Sequence, residues 1–420
     1  MYKTPASNRL HIGIFGKRNT GKSSLINAVT GQDTAIISEV AGTTTDPVYK
    51  AMEILPIGPC MLIDTAGIDD EGALGEERVR RTLAVLRKTD IGLIVVTPDT
   101  VIDNFEEELI KSFRTRKLPF LFVINKCDLV GDRAKGYLNR SGIPYIEVSS
   151  KSGCGIEALK EKIMDMAPGH WSPIPLVGDI IKPKDTVILV CPIDSAMPQG
   201  RLILPQVQVM RDCLDNNAIP IVVKETELPD ALSALRERPS LVITDSQVFE
   251  DVRDILHEDI PLTSFSVIFA RHKGDLNAYL NGVRAIAELK DGDEILIAEA
   301  CTHHVQPEDI GRSKIPTWLM NYTKKDLHYN VVAGSDFPQD LATYKLIISC
   351  GGCMANRREI MHRIEKASQA GVPITNYGIL MAYLSGILCR VITPFKGGLA
   401  HIDSFEPVCN SSILPDNPKK

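Results

Sequence analysis

Apolar residues in this chain come largely in short unbroken runs, each followed by a stretch in which they recur every three or four positions. The run "RLHIGIF" at 9–15 reads as a strand; a glycine-rich turn follows, then "SSLINAVTG", apolar at helical spacing and stopped by Gly31. The alternation continues through the strands "CMLIDTAG", "DIGLIVVTP", "PFLFVINK" and "PYIEVSS" and the helices "DNFEEELIKSFRTR" and "GIEALKEKIMDMA". Such alternation predicts a parallel sheet covered by helices, here a first domain over 1–168. Four prolines and two glycines in "PGHWSPIPLVGDIIKPKD" oppose any regular element, and 169–184 reads as a linker.

A second α/β run occupies 185–262, with strands "DTVILVCPI", "IPIVVKET" and "PSLVITD" alternating with helices "LPQVQVMRDCLDNN", "ELPDALSALRER" and "SQVFEDVRDIL". It carries no chemical motif. The third, 263–420, has strands "DEILIAEAC", "YKLIISC" and "VPITN", the last two each followed by a helix. The expected fold class is therefore α/β in three domains, an N-terminal P-loop domain followed by two smaller α/β domains.

Composition narrows the function. A chain of 420 residues exceeds one hydrophobic core, and its 44% hydrophobic and 24% charged residues match ordinary globular domains. A net charge of −6 opposes a sequence-independent grip on nucleic acid. No uncharged apolar run reaches the ~18 residues of a membrane span, and the first residues have no signal-like apolar stretch. The expectation is a cytoplasmic protein without membrane or nucleic-acid partners. Its ten cysteines are expected to be reduced, and those that cluster are candidates for metal or redox chemistry.

"GKRNTGKSS" at 16–24 matches G-x-x-x-x-G-K-[ST] between a strand and a helix. In that setting Gly16, Thr20, Gly21 and Ser24 belong to the loop that wraps phosphates, Lys22 brings a charge to the terminal phosphates, and the Ser23 hydroxyl can ligate Mg2+. "LIDTAG" puts Asp64 at a strand end, in reach of the magnesium, and Gly67 where its N–H can meet the γ-phosphate. In "NKCD", which contains Asn125 and Lys126, Asp128 can accept the paired donors of guanine, a pair adenine lacks; "SSK" (Ser149, Ser150, Lys151) lies one strand later. The ligand is thus GTP, hydrolysed to GDP.

These motifs, over residues 9–168, resemble the GTPases of the translation-factor-related class. Ile68 follows "DTAG" where Ras-like enzymes use a water-orienting glutamine, so intrinsic hydrolysis should be slow. Asn19 and the loop "GTTTD" at 42–46 resemble potassium-dependent GTPases of the MnmE type. That resemblance implies Asn19 as a K+ ligand, where a bland alternative is a loop cap; by position Thr44 is the magnesium-binding switch threonine. Lys22, Thr44 and Gly67 are the catalytic candidates.

A different chemistry is signalled by "SCGGC". Cys350 and Cys353 follow a strand and precede a predicted helix, whose N-terminus would favour thiolates. Alone, the pair fits a redox dithiol, half a zinc site or two ligands of an iron-sulfur cluster. "AEACTHHVQPEDIG" adds Cys301, His303 and His304 at another strand end, and in open α/β sheets that edge binds ligands.

GTPase motifs, a motif-free middle domain and a C-T-H element followed about fifty residues later by C-G-G-C resemble, across essentially the whole chain, the maturation GTPases of iron-iron hydrogenases, the HydF family. The resemblance implies a middle domain that forms a homodimer and a C-terminal domain binding a 4Fe-4S cluster through Cys301, Cys350 and Cys353, with His303 a further candidate. It also implies a transient two-iron subcluster, built with two radical-SAM maturases and delivered to apo iron-iron hydrogenase. Many members have histidine immediately before the CxxC; here that residue is Ser349, leaving the fourth ligand among His303, His304, Asp336 and an exogenous group. The other reading is an RNA- or ribosome-associated GTPase with structural zinc.

Overall fold

The computed structural model describes residues 6–31, 48–54, 58–65, 82, 84–167, 174–193, 202–300, 310–334, 337–353 and 355–398. The chain divides into two compact units, Met1–Ser172 and Pro173–Lys420.

In the first unit β1 (Leu10–Phe15), β2 (Val48–Ile54), β3 (Gly58–Asp64), β4 (Ile91–Val96), β5 (Phe120–Ile124) and β6 (Tyr145–Glu147) form one sheet in the order β2-β3-β1-β4-β5-β6. Every pairing is parallel except β2 with β3. Strand side chains alternate faces, and this sheet is covered on both. Leu10, Ile12, Ile14, Leu93, Val95, Leu121 and Val123 pack with helices Lys22–Thr30 and Ile156–Met166. Phe15, Ile94, Val96, Phe122 and Ile124 pack with helices Asn104–Thr115 and Arg133–Ser141. Two-sided burial is why these strands read as unbroken apolar runs. The edge strand β2, with its mixed "VYKAMEI", escapes that pattern.

The second unit holds two four-stranded parallel sheets. β7 (Thr186–Val190), β8 (Ile219–Val223), β9 (Leu241–Thr244) and β10 (Leu262–Ser264) pair in the order β10-β9-β7-β8. β11 (Glu294–Ala298), β12 (His328–Val332), β13 (Leu346–Ser349) and β14 (Ile374–Asn376) pair in the order β12-β11-β13-β14. Read from either edge, these are the same topology: the first strand lies between the second and the third, and the fourth is outermost. This structural duplication has no counterpart in a short sequence period. β10 completes the second sheet at Ser264, and β12 adds a strand to the third that the sequence pattern does not signal.

Both sheets share one core, extending from Leu176 to Phe395. At its centre lies helix Phe265–Lys273, buried at Phe265, Val267, Ile268, Phe269, Ala270, His272 and Lys273, hence on all sides. Helix Leu276–Arg284 presses on β14 so closely that a Cβ on Gly282 would stand 2.0 Å from the Ile374 carbonyl oxygen. The described part of the proline-rich stretch before β7, residues 174–185, has no helix or strand, yet it is packed. Val177 is fully buried, and the N–H groups of Val177 and Gly178 donate to Asp212 Oδ2 at 2.7 and 2.8 Å. Among the described residues no helix is long and apolar enough to cross a membrane.

Candidate functional site

The first cluster surrounds the loop between β1 and helix Lys22–Thr30. Gly16 has φ +145°, and a Cβ there would sit 2.2 Å from the Val95 carbonyl oxygen; Gly21, at φ +88°, starts the helix. Asn19 also takes a left-handed conformation, at φ +62°. Lys22 is buried, with Nζ donating to the carbonyls of Gly16 (2.5 Å) and Lys17 (2.9 Å), so its ammonium lies inside the curl of the loop. Ser23 Oγ donates to Asp64 Oδ2 at 2.7 Å, which brings the two magnesium candidates together across the end of β3. Ser24, on the exposed side of the first helical turn, stays apart.

The base-recognition motifs converge on the same loop. Asn125 donates through Nδ2 to the Thr20 carbonyl (3.0 Å), and its Oδ1 accepts from Ser150 N (3.1 Å) and Ser150 Oγ (2.9 Å). Lys126 lies across the loop, Nζ donating to the Asn19 carbonyl at 2.7 Å. Asp128 Oδ1 accepts from Ser149 Oγ at 2.6 Å; that bond, more than the nearby Lys151 and Lys126 charges, holds its carboxyl below the usual range, so it is an anion at neutral pH. The three motifs therefore form one hydrogen-bonded unit in which the only carboxylate of "NKCD" is ionised and exposed. A cavity of about 540 Å³ opens beside it, between Asn19, Thr20, Lys126 and the 97–101 loop. Its wall includes Lys17, paired with Asp103 at 2.7 Å and with the buried Glu106 at 3.2 Å, a contact absent from the sequence reading. Thr44 and Gly67 lie outside the described residues.

The second cluster is at the C-terminal edge of the third sheet. Ala298 of β11 and Ser349 of β13 are register partners, so the segments that follow leave the sheet side by side. Cys350 Sγ accepts the Ala300 N–H at 3.0 Å, and the Cys350 N–H donates to the Ala298 carbonyl at 3.0 Å. Burial pushes the Cys350 thiol up, opposed by backbone N–H groups of Gly352 and Ala300 and by the Arg363 charge. Neither Cys350 nor Cys353 is disulfide-bonded. Of the two glycines between them only Gly352 is conformationally required: its φ is +60° and a Cβ would meet Ile360 Cδ1 at 2.6 Å, whereas Gly351 faces open space.

The helix expected directly after Cys353 starts later, at Arg357, because Asn356 caps it by accepting the Glu359 N–H at 3.0 Å. Donors to the Cys350 sulfur thus come from the end of β11 and from the loop itself, not from the helix terminus. Sequence reasoning also missed the cations. Lys273, 2% exposed, donates to the carbonyls of Gly352, Cys353 and Ala355, each at 2.9 Å. Burial brings its pKa down to about 8, against the thiols Cys353 and Cys350, which raise it. Arg363, 3% exposed, donates to the Glu299 carbonyl at 3.2 Å. Cys301, His303, His304 and Asp336 lie outside the described residues, and among the described ones no cluster of three or more His, Cys, Asp or Glu forms a metal site. The expectation of reduced thiols fails at Cys389, which is disulfide-bonded.

Comparisons with known proteins bear on both units. Residues 11–126 match a family model described as 50S ribosome-binding GTPase. Residues 176–274 match the hydrogen maturase F dimerization domain, and residues 277–394 the hydrogen maturase F tetramerization domain. The chain belongs to the hydrogen maturase F family. Its N-terminal unit is a GTPase domain. GTPase relatives match at the N-terminus. The tRNA modification GTPase MnmE of Coxiella burnetii is 34% identical over 157 residues, 37% of this chain and 34% of that protein. GTPase Der of Wolinella succinogenes is 35% identical over 184 residues, 40% of this chain and 38% of that protein. The chain spans about a third of the length of the curated relatives it matches. The solved G domain of the T. maritima FeoB iron transporter is 24% identical with a TM-score of 0.29, covering 38% of this chain and 99% of that one. The hydrogen maturase F matches cover the region that carries the Cys350–Cys353 loop, where the family model is named for tetramer formation.

Proposed function

We propose that this member of the hydrogen maturase F family is a GTP-hydrolysing scaffold that holds a 4Fe-4S cluster on Cys301, Cys350 and Cys353 and passes a two-iron subcluster to an apo iron-iron hydrogenase. The observation that carries the reading is the Cys350–Cys353 loop at a strand end, neither cysteine in a disulfide, in a chain whose other unit is a GTPase domain. The residues present suit such a group on three counts. Neither thiol is in a disulfide, the Cys350 sulfur accepts backbone N–H bonds, and two buried cations, Lys273 and Arg363, stand against it to balance thiolate charge. When bound, the cluster supplies an iron with an exchangeable position at which the incoming iron group can attach.

In the GTPase unit Lys22 faces the terminal phosphates, Ser23 and Thr44 hold Mg2+ with Asp64 behind them, and Gly67 meets the γ-phosphate. Asp128 takes the guanine edge, steadied by Ser149, and Asn19 holds K+. Self-association of the region 176–274 is supported by β8, an edge strand whose Ile219 and Val222 are 53% and 40% exposed. Two radical-SAM maturases are the partners that load the subcluster. Anaerobic reconstitution tests the assignment. The expected result is four irons and four sulfides per chain, with activation of apo-hydrogenase by the protein once loaded with a two-iron precursor; protein that takes up neither metal nor sulfide refutes it. The relatives named for tRNA modification favour a second reading, an RNA-associated GTPase with structural zinc, which zinc in place of iron in anaerobically purified protein would support.

A further inference from the structure

We infer that Lys273 is a positioning residue, which fastens the loop bearing Cys350 and Cys353 and supplies a buried positive charge for thiolates held there. The charge part rests on the cluster reading above, while the fastening does not.

Lys273 ends the buried helix Phe265–Lys273, and all three of its ammonium donors go to loop carbonyls, those of Gly352, Cys353 and Ala355 at 2.9 Å. The ring of Phe269 lies 5.6 Å from Nζ. Among the described residues no carboxylate pairs with Lys273. Burying an ammonium with only carbonyl dipoles around it is costly, and a neutral amide could have donated to two of the same oxygens without that cost. A fixed cation is warranted if the loop it faces becomes anionic, which is what deprotonated Cys350 and Cys353 would make it.

The contact is returned. Arg357, the first residue of the helix after the loop, donates through Nη1 to the carbonyls of His272 (2.7 Å) and Gly274 (3.0 Å), on either side of Lys273. Each segment thus caps the other: the lysine satisfies carbonyls of the cysteine loop, and the arginine satisfies carbonyls at the C-terminal end of the lysine's helix. Lys273 falls in the stretch matched to the dimerization domain and the loop in the stretch matched to the tetramerization domain. The conformation of the cysteine loop is therefore set by the last helix of the preceding domain, and a change at that helix reaches the thiols without passing through the sheet.

The test uses the full-length apo protein and measures alkylation of Cys350 and Cys353 by iodoacetamide, read site by site by mass spectrometry. With the clasp broken, Lys273→Met should be modified about tenfold faster than wild type and Arg357→Gln about threefold faster, because lost buried hydrogen bonds make the loop open more often. Lys273→Arg, which keeps the charge and donors, should stay near wild type. Rates for Lys273→Met and Arg357→Gln both within about twofold of wild type overturn the fastening; circular dichroism confirms folding, and if Lys273→Met does not fold, Arg357→Gln decides. On reconstituted protein the midpoint potential should move to more negative values in Lys273→Met and not in Lys273→Arg; an unchanged potential overturns the charge role. A wild-type protein that takes up no iron refutes the cluster reading, and the apo alkylation rates still decide the clasp.

Discussion

The two sheets of the C-terminal unit have the same strand order but opposite chemistry at the same place. In each, the crevice above the first and third strands is where a doubly wound sheet presents a ligand. Register makes the positions comparable: Val190 pairs with Thr244 in the second sheet and Ala298 with Ser349 in the third. The next residues are Cys191 and Asp245 in one, Glu299 and Cys350 in the other. Thiol and carboxylate have exchanged strands. In the third sheet the carboxylate is taken up by Arg312, at 3.0 Å from Glu299, and the thiol is left to N–H donors and buried cations. In the second sheet burial and then the facing Asp245 push the Cys191 thiol up to about 12, which keeps it protonated. Topology supplies the position, and burial together with the neighbouring charges and N–H donors decides whether a sulfur there can become a ligand.

The sharpest way to break this comparison is to mutate the two sulfurs in parallel. Cys350→Ser should abolish assembly of a complete cluster, whereas Cys191→Ser should reconstitute with wild-type iron content; equal iron in both variants would end the distinction. Next in size is thiol reactivity. At pH 8 a thiol with a pKa of about 12 is ionised in roughly one part in ten thousand, against about one in ten for an ordinary cysteine near 9. Cys191 should therefore alkylate about a thousandfold more slowly than an exposed cysteine, speeding up as pH rises toward 12, which mass spectrometry of labelled peptides would check.

A smaller effect concerns what the sheets share. Ile243 and Ile348, matched positions on β9 and β13, are both fully buried in the one core. Alanine at either should cost ~2–5 kcal/mol, and calorimetry should find that either change lowers the same transition of this unit. Separate transitions that respond to one variant each would mean that the sheets are independent. The smallest effect is at Asp245: because burial outweighs its charge, Asp245→Asn should quicken Cys191 alkylation only a few-fold.

What the sequence disclosed depends on how local each feature is. The phosphate loop, "NKCD" and "SSK" are contiguous, and the strands that carry them are apolar on both faces, so their place and order were legible. So was the CxxC, which advertises itself by spacing alone. Strand β12, half-buried and reading "HYNVV", has neither alternation nor an apolar run, and β10 is only three residues long. Lys273 was hidden for another reason. At the end of an apolar helix a lysine reads as an ordinary complement to the helix dipole, and nothing in the intervening eighty or so residues indicates that it will meet Gly352 and Cys353. The late start of the helix at Arg357 was legible in principle, since Asn356 with Glu359 three residues on is a capping pattern.

The helix Phe265–Lys273 and its neighbour Leu276–Arg284 flank the seam between the two family matches, yet each is wrapped by residues from both sides of it. A gene fragment cut at that seam would leave one product with a naked helix whose apolar faces have lost their cover, and the other with uncovered faces on helices Arg357–Gln369 and Tyr377–Leu384, which pack on it. Expressed separately, the halves should collect in inclusion bodies, and mixing them during refolding should recover soluble protein where either alone does not.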